Sequence, residues 1–437
     1  MYPLNVFMAN DTMKVSVGRV EKGDFTSFSL LFFSTYSSLQ MMNNRQDVSF
    51  STTKKVRENQ ALHEGGNQLK VVISGFYGLG NTGDEAILEA ILDNLRNEIN
   101  EVDITVFSFS PEKTAKRHNV RSVYRGWRRE NKQKVQALKK ADLLISGGGG
   151  LLQDTYPTKF LFGPLPYYLL IVFLAKLCGA KVMFFSQGIG PVNTTWGKIL
   201  MKVFANMADF ITVRDPFSKE LLHKLGVNRP ESVVTADIVF AFHQKEDSAC
   251  LDSLPLKGGE RLVAVSVRSW FGDTSYYGHI AQALDSLIES EGVTPVFVPM
   301  EGHYDVRASE KVRQQMKHRN QSLLLGPDFT PNQYLNFISA CEMTIGLRLH
   351  CLIFSCLAGV PHIGISYDKK VESLLKRSGM WDYSFTLENL DPEKLADNAR
   401  EVLQRQEELK EMIRENAAEM RSEAMKNIDL LKERFGK

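Results

Sequence analysis

The 437-residue sequence predicts an α/β protein of two doubly wound domains facing across a cleft, with a helical tail at the C-terminus. Three observations carry that expectation. From Leu69 onward, short apolar runs alternate with amphipathic stretches of helical period, the pattern of a parallel sheet covered by helices on both faces. The alternation is interrupted at residues 244–260, a polar stretch containing Gly258-Gly259, as a linker would interrupt it. After Asp391 the chain is rich in Glu, Lys, Leu and Ala at helical spacing, without strand signals.

Taken in order, residues 1–68 are Ser/Thr/Asn-rich and weakly periodic, and are expected to be poorly ordered. The first domain, 69–243, opens on the strand Leu69–Ser74. Helix Glu85–Arg96 leads to strand Asp103–Phe109, and helix Lys132–Lys140 to strand Ala141–Ser146. Helix Pro166–Leu177 precedes strand Lys181–Ser186, helix Trp196–Met207 precedes Phe210–Val213, and helix Pro216–Leu225 precedes Val233-Val-Thr235. The second domain, 261–390, repeats the scheme with strands Arg261–Val267, Val293–Val298, Gln321–Leu325, Met343–Gly346 and His362–Ser366. Its helices are His279–Glu289, Ala308–Lys317, Asn332–Ala340 and Leu349–Leu357, and residues 391–437 form the tail. Ligands of such sheets bind at the carboxyl ends of the strands, here in the crevice between the two domains.

Composition narrows the function classes. With 43% hydrophobic and 24% charged residues the chain is an ordinary globular protein. A net charge of +2 gives no global field for nucleic acid. Residues 116–140 hold ten Lys/Arg against Glu130 alone, a basic face that could approach an anionic membrane or a phosphorylated carrier. The odd set Cys178, Cys250, Cys341, Cys351 and Cys356 has no zinc spacing and suits a reducing cytoplasm. The apolar stretch Phe160–Leu177 is broken by Gly163-Pro-Leu-Pro166 and is too short to span a bilayer, so it is expected as a buried helix.

Six motifs sit at predicted strand ends. Gly346-Leu-Arg348-Leu349-His350 follows one strand and opens a helix, where amide N–H groups and the helix dipole favour an anion. Ser366-Tyr-Asp-Lys-Lys370 follows the next strand. Arg, His and Lys together suit a small, multiply charged substrate such as a phosphorylated carboxylate. Gly78-Leu-Gly80-Asn81-Thr-Gly83-Asp84-Glu85 has the G-x-G-x-x-G spacing of a dinucleotide fingerprint. The strand that should then end in a ribose-binding acid ends instead in Phe107-Ser-Phe-Ser-Pro111, which argues against NAD. Asn81, Asp84 and Glu85 offer polar groups at that helix start, although Asp84 could equally be its N-cap. Gly147-Gly148-Gly149-Gly150-Leu-Leu-Gln153 reads as a glycine turn that admits a ligand to the main chain. Gln187-Gly188-Ile-Gly190 reads as a third loop on that edge, and Arg214-Asp215 closes the next strand.

Seven segments in order give the chain a resemblance to the polysaccharide pyruvyltransferase family, specifically the CsaB type that pyruvylates secondary cell-wall polymers. They are Ser74–Ala86, Ile145–Asp154, Gln187–Pro191, Thr212–Asp215, Ser266–Trp270, Gly346–His350 and Gly364–Lys370. The resemblance implies a GT-B-like pair of Rossmann-like domains with phosphoenolpyruvate as co-substrate, no cofactor and no metal. It implies a donor site of Arg214, Arg348, His350 and Lys370, with the backbone of Leu349 nearby. Lys369 stands where relatives often carry proline, so the donor lysine is Lys370 or its neighbour. Gly78, Asn81, Asp84, Glu85, Gly148, Gly149 and Gln153 are the acceptor-side candidates.

The expected reaction carries pyruvate from phosphoenolpyruvate to a lipid- or nucleotide-linked sugar as a cyclic ketal, with release of phosphate. By analogy the sugar is an N-acetylmannosamine unit on a lipid carrier. The enzyme would work in the cytoplasm or at the inner face of the membrane. His350, with an ordinary pKa of about 6.5, would supply or relay the proton. The rival readings are a GT-B glycosyltransferase using a nucleotide sugar, with Glu372 as its ribose-binding acid, and a phosphoglycan-binding module.

Overall fold

Residues 69–74, Leu-Lys-Val-Val-Ile-Ser, form the central strand of the first sheet, and all but Lys70 are buried. A strand covered on both faces reads as a near-continuous apolar run, which is why the sequence marks it clearly. The computed structural model describes residues 4–9, 12–17, 68–154, 163–270, 272 and 274–436. Strands β1 (Leu4–Ala9) and β2 (Thr12–Val17) pair antiparallel. Otherwise the expectation for the N-terminal extension lies outside the described residues.

The first domain runs β3 (Leu69–Ser74), α1 (Thr82–Glu98), β4 (Val102–Ser108), α2 (Pro111–His118), β5 (Arg121–Tyr124) and α3 (Asn131–Lys140). It continues through β6 (Leu143–Leu152), α4 (Pro164–Leu177), β7 (Lys181–Ile189), α5 (Thr195–Phe204), β8 (Phe210–Val213), α6 (Pro216–Lys224) and β9 (Glu231–Val234). All seven strands from β3 on are parallel, in the order β5-β4-β3-β6-β7-β8-β9. Sequence reading missed α2 and β5. Both are short, and their charged residues give no apolar period because β5 is an edge strand with no buried residue.

The glycine turns need correction. β6 continues through Gly147–Gly150 and β7 through Gln187-Gly188, so these residues are strand, interrupted by irregularities between Gly149 and Leu152 and between Phe184 and Gln187. The two strands keep pairing beyond the body of the sheet, Gly149 with Gln187 and Leu152 with Ile189. At the irregularity Gly149 has φ +75°, which a side chain would strain.

The second domain follows a short helix α7 (Ala249–Asp252), with β10 (Arg261–Ser266), α8 (Tyr276–Glu291), β11 (Val293–Phe297), α9 (Gly302–Arg313) and β12 (Leu323–Leu324). Then come α10 (Pro331–Ser339), β13 (Met343–Gly346), α11 (Leu349–Ala358), β14 (His362–Ser366), α12 (Lys369–Arg377) and β15 (Phe385–Thr386). Its six strands are parallel, in the order β12-β11-β10-β13-β14-β15. The stretch 244–260 is pinned at its start, where Lys245 bonds Asn332 and Asn336 of α10.

The tail is two helices, α13 (Pro392–Gln404) and α14 (Gln406–Phe435). Leu409, Ile413, Ala417, Met420, Ala424, Ile428 and Leu431 recur every three or four residues and form the buried stripe of α14. That stripe carries the chain back to the first domain, where Asn427 meets Thr235 Oγ1 at 3.0 Å and Lys432 meets Glu98 at 2.9 Å. Apolar side chains of both sheets and the tail share one continuous core, and residues 67–437 form one compact unit. Among the described residues no helix is long and apolar enough to cross a membrane. The expected buried helix is α4, whose Leu165, Tyr168, Leu169, Ile171 and Val172 are sealed in the first domain's core.

Candidate active site

The two domains meet where the start of α1 faces the loop between β11 and α9. Thr82 N–H donates to Met300 O at 2.8 Å, and Asn81 bridges Glu301. Asn81, not Asp84, is the N-cap of α1, accepting from Gly83 and Asp84 N–H at 3.0 and 3.2 Å. The Asp84 carboxylate is therefore free of capping. It stands over Gly149, where an added Cβ would lie 3.1 Å from Asp84 Oδ1. Burial first, then the neighbouring Glu85 and Glu301 charges, push Asp84 up to about 8, against the pull of Arg214 and Arg125. Glu85 is buried and accepts from Gly78 N–H at 2.7 Å.

Arg214 leaves the carboxyl end of β8 and is buried beside Gly188, which leaves no room for a Cβ. Its Nη1 donates to Asp237 Oδ2 at 2.5 Å, and Asp215 lies 4.0 Å from Nε. Burial alone would lower this arginine, but Asp237 and Asp215 overcome it and the net shift is upward. Arg348, the residue before α11, is held from Nε and Nη2 by Asp305 at 2.9 and 2.5 Å, and by Glu301 at 2.5 Å. These carboxylates again outweigh burial and raise it. Nη1, with two N–H groups, makes no hydrogen bond among the described residues. Leu349 opens α11, which has no side-chain cap.

His350 rests on the backbone of Gly83 across the domain boundary; a Cβ there would lie 1.9 Å from Nδ1. Its Nε2 is buried without a hydrogen bond among the described residues, with Asp237 Oδ2 the near acid at 3.8 Å. Burial, helped by Arg214 and Arg348 and opposed by Asp237, pushes His350 down to about 4. It is thus neutral at pH 7. Changing Gly83 to Ala should swing the imidazole out and lower turnover roughly 10–100-fold. Adding His350→Gln to Gly83→Ala should then cost little more; additive losses would separate the two residues.

Of the lysine pair, Lys370 is the one that enters the cleft. Its Nζ crosses the cleft to Gly190 O at 2.6 Å, close to Gly150 and Gln153, whereas Lys369 is exposed and pairs with Glu372 at 2.9 Å. Burial, then Arg214, lowers Lys370 to about 8. Of the acceptor-side candidates, Asp84 stands over Gly149 and Gln153 beside Gly150 and Lys370. Gly148 instead makes room for Ile87, and the Gly78 amide is taken by Glu85. Three of the four consecutive glycines, Gly147 to Gly149, thus seat Tyr77, Ile87 and Asp84 against the strand.

Sequence reading missed Asp237, Glu301 and Asp305, the counter-charges of the site. Asp237 and Glu301 lie in loops just past a strand's carboxyl end and Asp305 in the first turn of the helix that follows, so strand-end acids could have been collected with the strand-end cations. It also left Arg268 unused, although the segment Ser266–Trp270 was singled out. Arg268 Nη1 donates to Tyr367 Oη at 3.0 Å, and Tyr367 lies close enough to Arg348 to raise it.

Comparison with known proteins places this geometry. The family model for polysaccharide pyruvyl transferase matches residues 81–369. The amylovoran biosynthesis protein AmsJ of Erwinia amylovora is 22% identical, over 79% of this chain and 94% of its own length. Among solved structures, S. aureus MnaA with UDP superposes with a TM-score of 0.60 at 10% identity, over 84% of this chain and 95% of its own. Anabaena HepE with UDP and glucose gives 0.57 at 11% identity, covering 84% and 99%. At such identities these structures speak for the fold, a GT-B-type pair of parallel-sheet domains.

Proposed function

The chain belongs to the polysaccharide pyruvyl transferase family, and from that premise we propose that its crevice uses phosphoenolpyruvate as donor. Pyruvate goes to two hydroxyls of one sugar in a polysaccharide precursor carried on a lipid or nucleotide, and an N-acetylmannosamine unit is the first acceptor to test. The observation that carries this reading is that Arg214 of the first domain stands within electrostatic reach of both His350 and Lys370 of the second, with Arg348 also near His350 and Lys370 reaching across to Gly190.

The balance of the reaction assigns the parts. The donor's methylene carbon gains a proton and becomes methyl. Two C–O bonds form at C2, the C2–O bond to phosphorus breaks, and the two hydroxyl protons replace the one used and the one carried off by phosphate. Asp84, raised to about 8, is a neutral acid at pH 7 and supplies the first proton. His350, lowered to about 4, is a neutral base that takes a proton from the sugar hydroxyl. Two groups whose surroundings drive their pKa values apart make an acid–base pair. This inverts the role that an unperturbed His350 suggests. Arg348, Arg214 and Lys370 neutralise the carboxylate and the departing phosphate.

On this reading kcat/KM is flat between the two perturbed groups and falls above about pH 8, where both Asp84 and Lys370 lose protons. The loss should therefore be steeper than a single ionisation. Phosphate release from phosphoenolpyruvate, with mass detection of the pyruvylated sugar, is the decisive assay. Release of nucleoside diphosphate from a nucleotide sugar would favour the glycosyltransferase reading, whose ribose acid Glu372 is engaged by Lys369. Lys116, Arg128, Arg129, Lys132, Lys139 and Lys140 remain exposed and could bring the enzyme to a membrane-borne acceptor, whereas Arg125 and Lys134 of the same stretch are buried.

A further inference from the structure

Arg125 has a setting unlike that of any other cation in the site. It follows β5, and its guanidinium is stacked by four rings: Tyr167, Tyr168, Phe109 and Phe76, at 4.4, 4.6, 4.7 and 5.5 Å from the centroids. The residue is only 4% exposed. Among the described residues no carboxylate pairs with it, and its Nε and Nη1 have no hydrogen-bond partner. The hydroxyls of Tyr167 and Tyr168 are likewise unpartnered. Both hydroxyls lie near the guanidinium, whose charge and proximity oppose the upward push of burial, but among the described residues neither reaches hydrogen-bond geometry with it.

The loop that carries Arg125 is built to hold it still. Lys134 is buried and donates from Nζ to the carbonyls of Tyr124, Arg125 and Gly126, and more weakly to that of Arg129. Glu130 accepts from Tyr124 N–H at 2.6 Å, and Arg125 N–H is bonded to Ser108 O at 2.8 Å. A buried lysine is thus spent on the backbone of a six-residue turn whose one buried charge is Arg125. Stacking offsets part of the cost of burying the charge, but it supplies no acceptor for the N–H groups. A buried charge without hydrogen-bond partners is costly, and a ligand oxyanion would remove that cost.

Position gives the ligand's place. Asp84, which faces Gly149, lies within electrostatic reach of both Arg214 and Arg125, so the donor cations and the aromatic cage neighbour the same carboxyl. We propose that Arg125, with the hydroxyls of Tyr167 and Tyr168, is an oxyanion subsite on the acceptor side. It takes the acidic group of a sugar, either a phosphate on its carrier end or a uronate carboxylate, while the sugar's hydroxyls reach Asp84 and His350. The rings that now stack on the guanidinium part to admit the anion and offer their faces to the sugar. Trp127, exposed at the rim and packed on Tyr167 at 5.4 Å, extends that surface outward. The acceptor assignment rests on the pyruvyl-transfer reading; the anion site itself does not.

Calorimetric titration of the full-length protein with glucose 1-phosphate, glucuronate and uncharged glucose tests it. At least one anionic sugar should bind tenfold or more tightly than glucose. Arg125→Met, which keeps length and apolar packing, should abolish that preference while phosphoenolpyruvate affinity stays within twofold. Preference for the phosphate over the uronate, or the reverse, identifies the acidic group. The doubly substituted Tyr167→Phe, Tyr168→Phe protein keeps cage and charge and should lose at least threefold in anion affinity. Equal binding of charged and uncharged sugars by the native protein would overturn the proposal. So would a folded Arg125→Met protein with unchanged preference. If Arg125→Met does not fold, unchanged anion affinity in the double Phe protein overturns it. Absence of phosphoenolpyruvate turnover with intact anion binding would instead remove the pyruvyl-transfer reading and leave the subsite standing.

Discussion

Asp84→Asn should lower phosphoenolpyruvate-dependent turnover by roughly 10²–10⁴-fold, the usual share of a general acid. At the same time it should raise the melting temperature at pH 8. The sign follows from linkage. The folded state holds Asp84 at about 8, far above its value in an unfolded chain. Its carboxyl therefore binds a proton more tightly when folded, and the stability tied to that proton is lost as pH climbs from about 4 through 8. Asparagine has the same shape and no such loss. Because Asp84 keeps some exposure to the crevice, water tempers the effect, and a gain of about 1–3 kcal/mol is expected at pH 8 and none at pH 4. Melting curves at both pH values, together with phosphate release, check it. An inactive protein of unchanged stability would make Asp84 an ordinary solvated carboxylate, and an active one would remove it from the mechanism.

Arg348→Gln should damage both fold and donor binding. Arg348 neutralises Asp305, which is 1% exposed, and also meets Glu301. Removing one partner of a buried ionic cluster strands the others, at a cost of roughly 3–5 kcal/mol. The double variant Arg348→Gln, Asp305→Asn removes the stranded charge and leaves an oxygen for the Met300 and Glu301 amides that Asp305 now serves. It should recover most of the stability while phosphoenolpyruvate binding remains lost. Recovery of both would show that Arg348 is a structural counter-ion and no more.

Much of the cationic edge of the crevice was legible because cations at strand ends are local signals. Arg214, Arg348, His350 and Lys370 each follow an apolar run, and parallel topology gathers such ends on one edge. The choice of Lys370 over Lys369 was not legible. Adjacent residues at a helix start point in different directions, and only the fold shows that one Nζ reaches Gly190 while the other faces solvent beside Glu372. Arg125 illustrates the opposite failure. In sequence it is one of ten basic residues and invites a surface reading, yet aromatic residues 42 positions or more further on, with Phe76 and Phe109 before it, enclose it.

By itself, the sequence determined the two α/β domains, the helical tail and the residue types at the cleft edge, because hydrophobic period and strand-end chemistry are written within a few neighbouring positions. Tertiary structure alone decided the counter-charges Asp237, Glu301 and Asp305, the run of strand through the glycines, and the return of α14 to the first domain. It also decided the protonation of the site. Asp84 and His350 carry ordinary side chains, and what sets one near 8 and the other near 4 is chiefly burial, joined by charges of which Glu85 and Arg348 are neighbours in sequence and Glu301, Arg214 and Asp237 are brought from far away.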